Sequence, residues 1–207
     1  MEVKGVIQAV AVDYGGVLVD LPSDPTRVAR VAAAVGVSPA ALKAGVYGVG
    51  RALWNRTKVG EIPEAEHWAQ AQEVLQLDAG TVAWIRRELF DAVTVRDRFV
   101  TYLRGLKGAC KLALVSNAIP SFTETWRRLG LLDLFDVAIN SSDVGVAKPD
   151  ERIFRLALES LHVAASDCVL VDDQEENVRA AARLGFRVVQ YGDSAQAIAE
   201  IQGLRGL

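Results

Sequence analysis

Residues that bind soft metals or form redox pairs are scarce in this sequence: 207 residues hold two cysteines, two histidines and one methionine. No Cys-x-x-Cys pair occurs, and His67 and His162 are far apart, so zinc-site spacing is absent. Cys110 and Cys168 each open an apolar, strand-like run, where a thiol behaves as a small buried hydrophobe. Positive charge is not in excess either. Lys and Arg number 23 against 26 Asp and Glu, a formal net charge of −3, which gives no electrostatic case for a nucleic-acid partner. An anionic ligand would have to be held by a few local cations or a metal. No apolar run reaches the ~18 residues of a membrane-spanning helix, and Met1-Glu2-Val3-Lys4 lacks the basic-then-apolar order of a secretory leader. The expectation is a cytoplasmic protein with no membrane partner.

What is present reads as an ordinary globular chain, 51% hydrophobic and 24% charged, long enough for one sizeable core with a small inserted lobe. Val6–Val12 is a nearly continuous apolar run that meets Asp13 and turns at Gly15-Gly16, the pattern of a strand buried on both faces. Further strands are expected at Lys111–Ser116, Val137–Asn140, Cys168–Asp172 and Arg187–Gln190. They alternate with helices at about 95–106, 121–129, 151–161, 175–184 and from Ser194. Strands alternating with helices of ten to fifteen residues imply βαβ units. The fold class is therefore α/β, a Rossmann-like three-layer core around a five-stranded parallel sheet.

From Pro22 to about Val93 no buried strand is expected. Asp24-Pro25-Thr26 starts a helix that Gly36 stops, and Ser38-Pro39 starts another. Gly45 and Gly48 interrupt a candidate around Tyr47–Arg56. Ile62-Pro63-Glu64 opens a helix through Leu75, and Asp78 caps one carrying Trp84, Ile85, Leu89 and Phe90. A crossover this long exceeds ordinary loops. The division expected is a core of residues 1–19 and 94–207 with an α-helical cap of residues 20–93 inserted in it.

Four stretches end a strand or follow one: Asp13 to Val17, Ser116-Asn117, Lys148-Pro149, and Asp172-Asp173. Adjacent carboxylates after an apolar strand repel each other unless a cation or donors hold them. Strands of a parallel sheet end at one edge, so these groups are expected to converge. A carboxylate nucleophile, a hydroxyl, an amide, an ammonium and a carboxylate pair suit phosphoryl transfer to Asp13 with Mg²⁺. Oxygen-only ligands favour Mg²⁺ over zinc.

In that order, Asp-x-x-x-Val, Ser-Asn, Lys-Pro and Asp-Asp, the chain resembles the haloacid dehalogenase-like hydrolase superfamily, in its branch with a helical cap between the first two motifs. The resemblance runs from Val6 to about Gln190. It implies Asp13 as nucleophile, forming an aspartyl-phosphate, and as a Mg²⁺ ligand together with the Gly15 carbonyl. It implies Ser116 and Asn117 beside the transferring phosphoryl group, and Lys148 paired with both Asp13 and that group. Asp173 would bind Mg²⁺ directly, and Asp172 directly or through water. The substrate implied is a small phosphate ester, a sugar phosphate among the candidates.

One departure stands out. The phosphatase pattern has a second Asp, a general acid and base, two residues after the nucleophile, where this chain has Gly15. Two alternatives therefore stay open: a dehalogenase, whose relatives lack that acid too, and a non-catalytic phospho-ligand binding protein. Arg51, Trp54, Asn55, Arg56 and Lys58 are candidates for substrate contact in the cap. Glu61 and Glu64 read as capping or surface residues, His67 and Trp68 as packing, and His162 as a helix-end residue. Apolar cap helices leave pairing with a second copy, a homodimer, open.

Overall fold

The computed structural model describes residues 6–20 and 23–206; Met1–Lys4 and Pro22, on which expectations were placed above, lie outside them. Five strands form one sheet in the order β3-β2-β1-β4-β5, with β1 Ala9–Val12, β2 Lys111–Ser116, β3 Val137–Asn140, β4 Cys168–Asp172 and β5 Arg187–Gln190. All four pairings are parallel. The first strand is shorter than the apolar run that encodes it. Both neighbours begin opposite Ala9, β2 at Lys111 and β4 at Cys168, so no full ladder exists for Val6–Gln8, and Val6 is left 79% exposed.

Side chains alternate across the sheet. Val10 and Val12 join the core that holds Phe99, Leu103 and Ile201, brought by α6 (Asp97–Leu106) and α11 (Ser194–Arg205). Ala9 and Ala11 face the other core with Ile153, Phe154, Ala157 and Ala181, from α9 (Glu151–Leu161) and α10 (Glu175–Arg183). Both cores bury apolar stripes at helical spacing, as the three-layer expectation requires.

Between β1 and α6 lie α1 Pro25–Ala34, α2 Pro39–Tyr47, α3 Ala52–Thr57, α4 Glu64–Leu75 and α5 Ala79–Arg86, the last running on into a wider turn at Arg87–Asp91. Asp24, Ser38 and Asp78 cap their helices through side-chain oxygens. The candidate helix at Tyr47–Arg56 is split. Tyr47 ends α2, and Gly48, Gly50 and Arg51 all take positive φ before Ala52 restarts the helix. The chain leaves for these helices and returns through a paired neck: Arg96 N donates to Leu18 O at 2.8 Å, Asp20 N to Thr94 O at 3.1 Å, and Thr94 N to Asp20 Oδ1 at 2.6 Å.

Glu64, read from sequence as a capping or surface residue, is neither. Its carboxylate accepts from Ser121 N at 2.8 Å, Ser121 Oγ at 2.7 Å and Trp68 Nε1 at 3.0 Å, while Arg86 Nε lies 3.4 Å away. Helix α4 is thereby tied to the loop before α7 (Phe122–Arg128). A carboxylate three donors deep is costly to remove, because each donor then stays partly buried without an acceptor. Glu64→Ala should lower stability by about 1–3 kcal/mol in urea unfolding. Glu66→Ala, which touches only exposed Gln70, serves as the control and should be near neutral.

Among the described residues no single helix is long and apolar enough to cross a membrane. Both cysteines are buried and unpaired. His67 is fully buried, accepts or donates at Thr57 Oγ1 over 2.7 Å, and packs on Trp68 at 4.8 Å between ring centroids. Burial holds its imidazole below the usual range.

Candidate active site

Parallel strands end at one edge, and each chemical residue sits at or just past such an end. Asp13 follows β1, Ser116 closes β2, Asp172 closes β4 and Asp173 follows it. Lys148 comes from the loop between α8 (Ser141–Val144) and α9. The turn after Asp13 needs glycine at Gly16, whose φ is 84°.

Lys148 is the centre of the cluster. Its side chain is fully buried, with Nζ 2.6 Å from Asp172 Oδ2 and 2.9 Å from Asp13 Oδ1. Asp172 spends its other oxygen on Gln174 N at 2.9 Å and Asn177 Nδ2 at 3.0 Å. Asp173 accepts from Gln174 Nε2 at 2.7 Å, but its Oδ1 is buried with no hydrogen-bond partner. Oxygens from Asp13, Asp172 and Asp173 lie within 4.8 Å of one another.

Three carboxylates face one ammonium, and the protonation of the cluster reflects that imbalance. Burial pushes Asp13 up to about 7, against the pull of Lys148 and helped by the Asp172 charge. Asp173 is raised as well, chiefly by burial. Burial pulls Lys148 down, yet Asp13 and Asp172 more than offset it, and its net shift is upward. Asp13, Asp173 and Lys148 all hold protons more firmly than usual. A site short of positive charge behaves this way. The orphaned Asp173 oxygen and the all-oxygen donor set fit a hard divalent cation such as Mg²⁺.

Above the cluster opens a cavity of about 580 Å³. Its floor has Asp13, Gly15, Ser116, Asn117, Lys148 and Asp173, and its roof has Tyr47, Arg51, Trp54, Asn55 and Lys58 from the inserted helices. Each core residue expected at the site is therefore at this cavity or one contact below it, and of the cap candidates Arg51, Trp54, Asn55 and Lys58 line it while Arg56 does not. Two surprises concern positioning. Asn117, expected among the phosphoryl oxygens, spends both ends of its amide on the Lys148 backbone, accepting from N and donating to O, each at 2.8 Å. It fixes the loop that carries the ammonium. Asn177 was not singled out from sequence, since an Asn inside a helix carries no distinctive pattern. It is buried and anchors Asp172.

Tyr14 turns away from the chemistry. Its ring packs on Trp126 and Phe122 at 5.8 and 5.9 Å, and burial raises its hydroxyl well above the phenol range. Arg56 points to solvent and pairs with Glu61 at 3.7 Å.

A family model for haloacid dehalogenase-like hydrolases matches residues 7–185. The chain belongs to that family. Similar proteins include acyl-CoA dehydrogenase family member 10 of Mus musculus, 29% identical over 96% of this chain and 19% of the mouse protein. Phosphoserine phosphatase of Thermus thermophilus is 30% identical over 67% of this chain and 61% of its own length. D-ribitol-5-phosphate phosphatase of Bacteroides thetaiotaomicron is 25% identical over 91% and 94%. The chain thus spans about a fifth of the mouse protein and about three fifths of the Thermus phosphatase.

Solved structures share the fold. One of a HAD-like family hydrolase from Porphyromonas gingivalis has a TM-score of 0.77 at 22% identity, covering 95% of this chain and 98% of that one. A HAD family enzyme from Bacteroides thetaiotaomicron, solved as a mutant with magnesium and inorganic phosphate, has a TM-score of 0.75 at 19% identity, covering 91% and 95%. An L-2-haloacid dehalogenase from Xanthobacter autotrophicus has a TM-score of 0.65 at 22% identity, covering 96% and 84%.

Proposed function

We propose that this hydrolase is a Mg²⁺-dependent phosphomonoesterase acting on a small phosphorylated metabolite through an aspartyl-phosphate at Asp13. The observation that carries it is the cluster of Asp13, Asp172 and Asp173 around Lys148 beneath a cavity, with one Asp173 oxygen left unpartnered. The relatives named as phosphatases, and the neighbour holding magnesium and phosphate, support the same reading. Residues 20–93 act as a cap over the strand ends, on a core of residues 1–19 and 94–207.

Asp13 Oδ attacks phosphorus, the bond to the leaving oxygen breaks with its electron pair going to that oxygen, and water then attacks phosphorus to return free Asp13 and phosphate. Lys148 orients the attacking carboxylate and faces the charge that gathers on the phosphoryl oxygens. The Ser116 hydroxyl donates to one of those oxygens. Asp13, Asp173 and the Gly15 carbonyl would hold Mg²⁺, which neutralises charge on the transferring group. Asp172, with both oxygens already taken by donors, positions Lys148 and would contact the ion directly or through water.

A panel of phosphate esters, with Mg²⁺ and with chelator, tests this. Hydrolysis that stops on chelation is the expected result. Chloride release from 2-chloropropionate that ignores chelator would replace this reading with a dehalogenase. Phosphate-analogue binding without turnover of any ester would replace it with a phospho-ligand binding protein, the reading that the Gly15 side-chain gap favours.

A further inference from the structure

The roof of the cavity differs in chemistry from its floor. Its rings are nearly covered: Tyr47, Trp54, Phe90 and Phe122 are each at most 7% exposed, packed edge-on and stacked against one another. What a ligand would touch there is polar. Arg51 and Asn55 are exposed and Lys58 is half-buried, all lining the cavity.

Asn55 and Lys58, three apart along α3 and its C-terminal end, share one face, and Arg51, from the left-handed turn just before α3, lines the same cavity. Leu53, Trp54 and Thr57 point into the core. The Arg51 guanidinium and the Lys58 backbone are each held in place. The Arg51 guanidinium sits 5.1 Å from the Tyr47 ring centre. The Lys58 carbonyl accepts from Ser141 Oγ at 2.5 Å. Two residues on, Gly60 has φ 71° and packs so closely that a Cβ would lie 2.8 Å from Ser142 O. The Lys58 loop is thereby clamped onto the core.

Among the described residues, neither Arg51 nor Lys58 forms an ion pair. Burial first, and Arg51 second, lower the Lys58 ammonium, against the opposing pull of Glu176. Two like charges beside an open cavity, with Glu176 on the same lining but in no ion pair with either, are favourable around an anion. On the floor, Lys148 and one divalent ion would balance the three carboxylates. The roof cations are therefore not needed to neutralise the floor.

We infer that Arg51, Asn55 and Lys58 form a subsite for a second anionic group, so that the substrate is a phosphomonoester whose alcohol portion carries a carboxylate or another phosphate. This inference rests on the phosphatase reading above. It also separates the chain from phosphatases of apolar alcohols, because the accessible roof offers charge and an amide and only ring edges.

The test uses matched pairs: 3-phosphoglycerate against glycerol 3-phosphate for a carboxylate, and fructose 1,6-bisphosphate against fructose 6-phosphate for a second phosphate. In at least one pair the anionic member should be favoured about tenfold or more in kcat/KM, the size of one or two charge-assisted contacts. Arg51→Gln and Lys58→Gln should each bring that ratio toward one. Equal kcat/KM within both pairs overturns the inference. So does an equal fall for both members of a pair in the variants, since the cations would then serve the phosphoryl group. Calorimetric binding of the same pairs with Mg²⁺ reads the preference without turnover. If no ester is hydrolysed, the phosphatase reading fails and the binding ratio alone decides the subsite.

Discussion

Replacing Lys148 by Met should destabilise the protein by about 3–5 kcal/mol at pH 8, the usual consequence of removing one partner from a buried charge pair. The reason lies in the arithmetic of charge around it. Lys148 is fully buried and, among the described residues, is the one cation paired with Asp13 and Asp172, so its loss leaves largely buried carboxylates facing each other. The sign of the pH effect follows. Asp13 already titrates near 7, above its unfolded value. A carboxylate raised in this way favours folding below its unfolded value, and that contribution is lost as pH rises through about 7. Without Lys148, Asp13 rises further, so the variant binds more protons when folded than the wild type does. Its deficit should therefore shrink between pH 8 and pH 5, and Mg²⁺ should recover part of it at pH 8. Urea unfolding at the two pH values measures this. A deficit that is the same at both, with or without Mg²⁺, would mean that Lys148 acts by packing its alkyl chain and not by its charge. Turnover should be lost at either pH, since among the described residues no other ammonium pairs with Asp13.

The layered core and the site's main members were legible in the sequence because both depend on patterns that short windows carry. Five apolar runs punctuated by helical spacing are enough to imply a parallel sheet, and a parallel sheet puts Asp13, Ser116 and Asp172-Asp173 on one edge whatever the loops do. Register is a different matter. The run from Val6 promised a seven-residue strand, but a strand extends only as far as its partners, and both partners start at Ala9. Residues that act through others were also hidden. Asn177 and Glu64 are ordinary polar residues on helices, and nothing local says that one reaches Asp172 and the other Ser121. Asn117 shows the converse: its position was plain, but its amide serves the Lys148 backbone. Arg51 and Lys58 could be picked from the sequence as cations near an aromatic, whereas separating them from Arg56 took the break at Gly48–Arg51 that sets the phase of α3.

Gly15→Asp should raise turnover on unactivated phosphate esters by about 10²-fold or more, the lower part of the range for general acid–base help. Gly15 lines the cavity two residues past Asp13, the proposed nucleophile, and its φ is not positive, so a side chain there meets no left-handed backbone strain. On the proposed mechanism, with glycine the leaving oxygen would depart unprotonated and the attacking water would keep its proton until late in the second step. The native enzyme should consequently favour esters whose leaving oxygen is a weak base, with a steep dependence of rate on leaving-group pKa. The aspartyl-phosphate should also outlast its formation on such substrates, giving a burst before steady state. An aspartate at position 15 supplies a proton in the first step and accepts one in the second, so it should flatten the leaving-group dependence and remove the burst together. Rapid-quench kinetics on aryl and alkyl phosphates measure both. A Gly15→Asp protein that folds, depends on Mg²⁺ and keeps the native slope and burst would show that the acid is supplied from elsewhere in the cavity. Lys58 and Glu176, both lining it, would then be the groups to replace next.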